Sequence, residues 1–160
     1  MACEIERKFL VVDDSWRNAV QRSCRMVQGY LPVSGFSLRL RIAGDQGFLT
    51  IKGPPQGISR SEFEYPVPVE DAEAMLAQFG KGFLVDKVRH YVDFAGKCWE
   101  VDVFAGENEG LITAEIELES PEEEFVRPPW LGEDVSEVPA YRNGALAKIP
   151  FRYWKKTDGQ

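Results

Sequence analysis

Histidine is almost missing from this chain, and cysteine is sparse. His90 is the single histidine, and Cys3, Cys24 and Cys98 are the three cysteines. The cysteines are odd in number and widely separated, with neither zinc-like spacing nor a disulfide framework. They read as reduced thiols, as expected of a cytoplasmic protein. His90 alternates with Arg89 and falls on the opposite strand face. A His-based metal centre and a Ser/His triad are therefore unsupported. No apolar run approaches the roughly 20 residues that span a membrane. The opening MACEIERK lacks the apolar region of a signal peptide, so no membrane partner is expected. A basic excess is missing as well. The net charge of −7 argues against a nucleic-acid partner, although a local basic cluster could still bind a small anion. No Gly/Ser/Pro-rich linker, internal repeat or low-complexity tract divides the 160 residues, so one domain over 1–160 is expected.

What the chain does have is charge in rows. The N-terminal EIERKFLV reads as a strand, and side chains alternate across a strand. Glu4, Glu6 and Lys8 then share one face, and Cys3, Ile5, Arg7 and Phe9 the other. Two carboxylates and an ammonium in one row are costly to bury unless paired or bound to a cation. They suit a site with a divalent metal on one side and an anion on the other. A solvated strand edge carrying protective charge would give the same pattern.

Eight segments have strand character: 3–12, 24–33, 36–44, 47–53, 59–68, 83–94, 97–104 and 111–119. Short Gly-containing turns between several of them favour antiparallel neighbours. Helices are expected over about 15–22, over 70–79 with Gly80 as its stop, from the capping-box pattern at Ser120-Pro121-Glu122-Glu123, and over about 141–148. The Pro128–Gly132 stretch reads as an ordered loop whose Trp130 packs on the body of the domain.

Nearly every strand carries one charged row and one apolar row. Arg39 and Arg41 share a face, as do Thr50 and Lys52, Arg60, Glu62 and Glu64, Lys87 and Arg89, Glu100 and Asp102, and Glu115, Glu117 and Glu119. An ordinary half-buried sheet could explain this. However, the rows group by sign, and a row of glutamates repels itself unless cations lie opposite. Eight antiparallel strands can close, remove their edges and hold one small ligand inside. The expectation is a mainly β, α+β fold: a closed eight-stranded antiparallel barrel whose charged rows face inward, with helices on the outside.

EIERKFLV, QGYL at 28–31, LRLR at 38–41, LTIKG at 49–53, SRSEFEY at 59–65, DKVRHY at 86–91, WEVDVFAG at 99–106 and GLITAEIELE at 110–119 together resemble the CYTH domain. This family is also called the triphosphate tunnel metalloenzymes. The resemblance runs from residue 3 to about 150. It departs at Glu137-Val138-Pro139-Ala140, where an acidic residue near an Arg-Tyr pair is expected. The resemblance implies a tunnel that binds triphosphate compounds with a divalent metal, Mg²⁺ or Mn²⁺. It assigns Glu4, Glu6, Glu115 and Glu117 to the metal. Glu100 and Asp102 are assigned either to a second metal or to pairs with facing cations. Phosphate falls to Lys8, Arg39, Arg41, Lys52, Lys87 and Arg89. Lys8, Lys87 and Tyr30 are the candidate catalytic residues, with Lys8 also a candidate partner of Tyr30. Glu119, Glu62 and Glu64 read as structural ion-pair residues.

The implied activity is metal-dependent hydrolysis of tripolyphosphate to pyrophosphate and phosphate. Adenylyl cyclase of the class IV type, thiamine triphosphatase and a broad nucleoside triphosphatase are the rivals within the family. A non-catalytic polyphosphate-binding module ranks below them because all four metal carboxylates are present. A homodimer is left open.

Overall fold

Alternation of charged and apolar residues determines how the strands close. The computed structural model describes residues 3–154. Its strands are β1 (Cys3–Val11), β2 (Val20–Leu31), β3 (Ser37–Ala43), β4 (Gln46–Lys52), β5 (Ser59–Val67), β6 (Lys81–Phe94), β7 (Lys97–Ala105), β8 (Ile112–Glu117) and β9 (Leu131–Asp134). Helix α1 spans Val69–Phe79 and the one-turn α2 spans Asn143–Leu146. All ladders are antiparallel, in the order β5-β4-β3-β2-β6-β7-β8-β1. β1 closes the ring by dividing its length: Cys3 to Ile5 pair with β5, and Glu6 to Leu10 pair with β8. The result is a closed eight-stranded barrel. β9 adds a short ninth strand beside the end of β1.

The main apolar core lies outside the barrel wall. Phe9, Trp99, Val101, Ala114 and Ile116 point outward from the strands. They are covered by Trp16, Leu118, Trp130 and Phe125. Trp130 meets Trp99 edge-on, with ring centroids 5.7 Å apart. On another outer face, α1 lies against β2, β3 and β4 and buries Ala72. Gly29 permits this approach, because a Cβ there would stand 2.7 Å from Leu76 Cδ2.

A second apolar cluster fills one end of the barrel. Leu10, Val85, Phe104 and Leu111 continue the inward rows of β1, β6 and β7 and of the segment leading into β8, and they pack on Leu146 and Ala147. Here α2 sits across the mouth of the barrel, whereas α1 packs on its side.

Several boundaries differ from the sequence reading. The first expected helix is a 3₁₀ segment, Ser15–Ala19, because β2 starts at Val20 to pair with Val92 of β6. The capping-box pattern at Ser120 makes one turn, with the Glu123 amide donating to the Ser120 carbonyl, and no helix follows. Phe125 is drawn instead into edge contacts with Phe9 and Trp99. The last helix is reduced to α2, preceded by a 3₁₀ segment at Pro139–Tyr141. The end of the stretch read as a loop, Leu131 and Gly132, begins β9, Leu131–Asp134.

Candidate active site

The inward rows enclose a cavity of about 700 Å³. β1 and β8 supply its acidic wall. Their register sets Glu6 opposite Glu117 and Lys8 opposite Glu115. Glu4, one step further along β1, pairs across to Arg60 of β5. β3 and β4 supply the facing basic wall through Arg39, Arg41 and Lys52.

The two walls interlock. Lys52 Nζ donates to both oxygens of Glu4, at 2.9 and 3.2 Å, and lies 3.7 Å from Glu62. Arg39 donates to Thr50 at 3.1 Å and to Glu64 at 3.3 Å. Its Nε is buried with no partner among the described residues. Arg89 is surrounded by carboxylates: Glu100 at 3.2 Å, Asp102 through two bonds at 2.8 and 2.9 Å, and Glu115 at 3.1 Å. Lys8 Nζ donates to the Tyr141 carbonyl at 3.0 Å and lies 3.9 Å from Glu115.

Lys87 and Asp102 lie behind the cavity surface. Lys87 is fully buried and donates to Asp102 at 2.7 Å and to Asn143 of α2 at 3.1 Å. Burial pulls the Lys87 ammonium down to about 7, against the attraction of Asp102. Burial also pushes Asp102 upward, but Arg89 and Lys87 outweigh it and hold the carboxyl at about 2. Tyr30 lines the cavity; its hydroxyl accepts from Gln28 at 3.1 Å, and no bond to Lys8 forms. Glu119 is exposed and outside the cavity lining, whereas Glu62 and Glu64 pair with Lys52 and Arg39.

The acidic wall fits a hard cation. Burial, then the neighbouring Glu115 and Glu4, raise the Glu6 carboxyl well above its usual range. Burial and Glu4 raise Glu62 to about 7. Glu115 stays well below the usual range because Lys8 and Arg89 outweigh its burial. Carboxylate oxygens are the donors a hard divalent cation takes. Among the described residues no three of them already converge as a ready-made nest, since Lys52 and Arg89 occupy the spaces between them.

The row reading missed several lining residues. Arg142 and Lys148 enter from the C-terminal segment, which has no strand periodicity to announce its facing. Tyr91, Phe48 and Tyr141 add aromatic surface. Tyr91 and Phe48 do sit at alternating positions on β6 and β4, so the strand period held that signal. The Tyr91 ring is covered by the Arg22 guanidinium, 3.6 Å from its centroid. Gln28, fully buried on β2, was also overlooked. Cys3, Cys24 and Cys98 are free thiols. No helix of the described residues is long and apolar enough to cross a membrane.

Comparison with known proteins agrees with this architecture. A curated relative from Acetivibrio thermocellus, named inorganic triphosphatase, is 40% identical over 98% of this chain and 100% of its own length. A second, from Nitrosomonas europaea and also named inorganic triphosphatase, is 39% identical over 90% of this chain and 96% of its own. The solved structure of the inorganic triphosphatase NE1496 superposes with a TM-score of 0.68 at 35% identity, covering 92% of this chain and 95% of that one. The CYTH domain profile matches residues 2–149, and the chain belongs to that family.

Proposed function

We propose that this protein hydrolyses inorganic triphosphate, releasing pyrophosphate and phosphate, inside the barrel. One observation carries the reading: a basic wall and an acidic wall face each other across one cavity inside the barrel. The names of the two curated relatives support it.

The basic wall suits a linear polyanion. Arg41 has no carboxylate partner among the described residues, and its guanidinium is free to form a planar fork on phosphate oxygens. Arg39 lines the same cavity beside it. Lys52 and Lys8 can exchange their present oxygen partners for phosphate. Arg89, already shared among three carboxylates, aligns the acidic wall and faces the phosphate from behind it. Lys87, out of direct reach, acts by holding Asp102 and Asn143 and thereby Arg89 and α2.

Glu4, Glu6, Glu115 and Glu117 are the residues that would hold Mg²⁺ or Mn²⁺. A divalent cation bound there would supply charge neutralisation and acidify a nearby water. In the reaction a water oxygen bonds to the terminal phosphorus while the bridging P–O bond breaks. Its electron pair leaves with pyrophosphate, and the water protons pass to solvent. Positioning and charge stabilisation provide most of the rate in phosphoryl transfer, and the opposed walls provide both.

A second reading, a nucleoside triphosphatase, draws support from Phe48, half-buried on the cavity wall, which could stack a base. Phosphate release from tripolyphosphate, ATP, thiamine triphosphate and pyrophosphate, each with Mg²⁺ or Mn²⁺, tests the proposal. Tripolyphosphate is expected to be hydrolysed best. No release from any triphosphate under either metal would overturn the reading.

A further inference from the structure

Gln28 is a fully buried amide whose two ends are both occupied. It lies on β2, in register with Arg41 of β3 and two residues before Tyr30. Its Oε1 accepts from Arg41 Nε at 2.8 Å, and its Nε2 donates to the Tyr30 hydroxyl at 3.1 Å. Arg41 and Tyr30 both line the cavity.

The orientation of this amide follows from its partners. An arginine side chain has only donors, so the amide atom facing Arg41 Nε must be the oxygen. The NH₂ end is then fixed toward Tyr30. Because that NH₂ can only donate, the Tyr30 oxygen must accept, and the phenolic proton has to point elsewhere. The ring itself is fenced by α2: a Cβ added at Gly144 would stand 3.7 Å from Tyr30 Cε1. Meanwhile Gln28 takes the inner Nε of Arg41 and leaves its two terminal NH₂ groups for a ligand.

We infer that Gln28 is a positioning residue. It locks the Arg41 fork toward the substrate and turns the Tyr30 proton into the cavity, where that proton can be donated to a phosphate oxygen. The inference rests on the proposed triphosphatase reading. One amide thus couples a phosphate-binding group to a hydroxyl donor on a neighbouring strand.

The test combines kinetics with calorimetric binding of tripolyphosphate in chelator, where turnover is not required. Gln28→Met keeps length and removes both bonds. Expected are binding about tenfold weaker, by analogy with the loss of one charge-assisted contact, and a separate fall in kcat. Gln28→Glu keeps an acceptor for Arg41 but replaces the donor to Tyr30 by an acceptor that draws the phenolic proton back. Its charge also neutralises part of Arg41, so it should lower kcat and weaken binding together. Either substitution, added to Tyr30→Phe, should change kcat less than twofold further, since the proton to be aimed is already gone. Should Gln28→Met not fold, Gln28→Glu and its pairing with Tyr30→Phe decide the matter alone.

Wild-type kcat and affinity in both variants, or losses that multiply fully with those of Tyr30→Phe, would overturn the inference. A wild-type protein that binds tripolyphosphate without hydrolysing it would overturn the triphosphatase reading instead. The binding arm would then still decide the Gln28–Arg41 coupling. A wild-type protein that does neither overturns both.

Discussion

At the scale of single residues, the distinction that matters is between cations already neutralised and cations still available. Arg89 touches three carboxylates, whereas Arg41 touches an uncharged amide. In sequence the two look alike, each being an inward arginine on an alternating row. Alternation gives the face a residue occupies but not the partner it meets across the barrel. The inward facing of the four glutamates proposed for the metal was legible because each pair, Glu4/Glu6 on β1 and Glu115/Glu117 on β8, occupies alternate positions of its own strand. Glu117→Gln retains shape and removes one charge from that set; turnover should be nearly abolished with the thermal midpoint unchanged. Full activity of this variant, or of the wild type in excess chelator, would contradict the metal assignment. Asp102 behaves differently, because it compensates two buried cations. Asp102→Ala should cost about 3–5 kcal/mol, the usual consequence of leaving buried charge unpaired. The sign of the pH effect follows from its depressed carboxyl, about 2 against an ordinary 3.8. Its contribution is complete above about pH 4 and is lost as pH falls toward 2. Urea unfolding from pH 5 to pH 2 should therefore show wild-type stability converging on that of the variant at the acid end.

At the scale of elements, the strands were legible because each has a two-residue period over seven or more residues or lies beside a clear turn. The C-terminal third was harder. Ser120-Pro121-Glu122-Glu123 has the local pattern of a helix start, but the Glu123 carboxylate is used by Lys97 and by the Glu119 amide. The chain then runs into Pro128 and Pro129, so a single turn is all that forms. β9 owes its extended form to the end of β1 beside it, a tertiary cause that four residues cannot announce. The least legible feature is α2 as a stopper. Leu146 is fully buried among Val85, Phe104 and Leu111, where the inward rows change from charged to apolar. Nothing in a four-residue helix indicates which mouth of a barrel it will cover. Leu146→Ala should destabilise the protein by about 2–5 kcal/mol, as large-to-small changes in packed clusters do. Because Asn143 and Gly144 on the same turn face Lys87 and Tyr30, the variant should also lose activity at temperatures well below its unfolding midpoint. Activity that tracks the folded fraction alone would show that α2 is a passive cap.

At the scale of the whole molecule, the barrel inverts the common arrangement, with its apolar packing outside the wall and its charge inside. Folding such a ring brings like charges together, and the interlocked pairs Lys52–Glu4, Arg39–Glu64 and Arg89–Asp102 offset that repulsion. A ligand that carries several negative charges along a line, together with a cation, can replace the cavity-facing pairs Lys52–Glu4 and Arg39–Glu64 on both walls at once. That requirement orders the substrates: tripolyphosphate over ATP, and ATP over pyrophosphate. Pyrophosphate is too short to reach the acidic wall and all of the basic rows together. ATP carries the full triphosphate, but its ribose and adenine must also be accommodated and ordered, which costs binding energy unless contacts compensate it. Of the aromatic rings on the wall, Tyr91 is covered by Arg22, Tyr30 is hemmed in by α2 and Tyr141 packs edge-on against Trp154, leaving Phe48 as the ring best able to stack a base. Phe48→Ala should therefore lower kcat/KM for ATP several-fold and leave tripolyphosphate nearly unaffected, widening the preference. The comparison requires one metal condition and both substrates on each protein. A wild-type preference for ATP that collapses in Phe48→Ala would reverse the order and make the base, with its triphosphate, the group the cavity recognises.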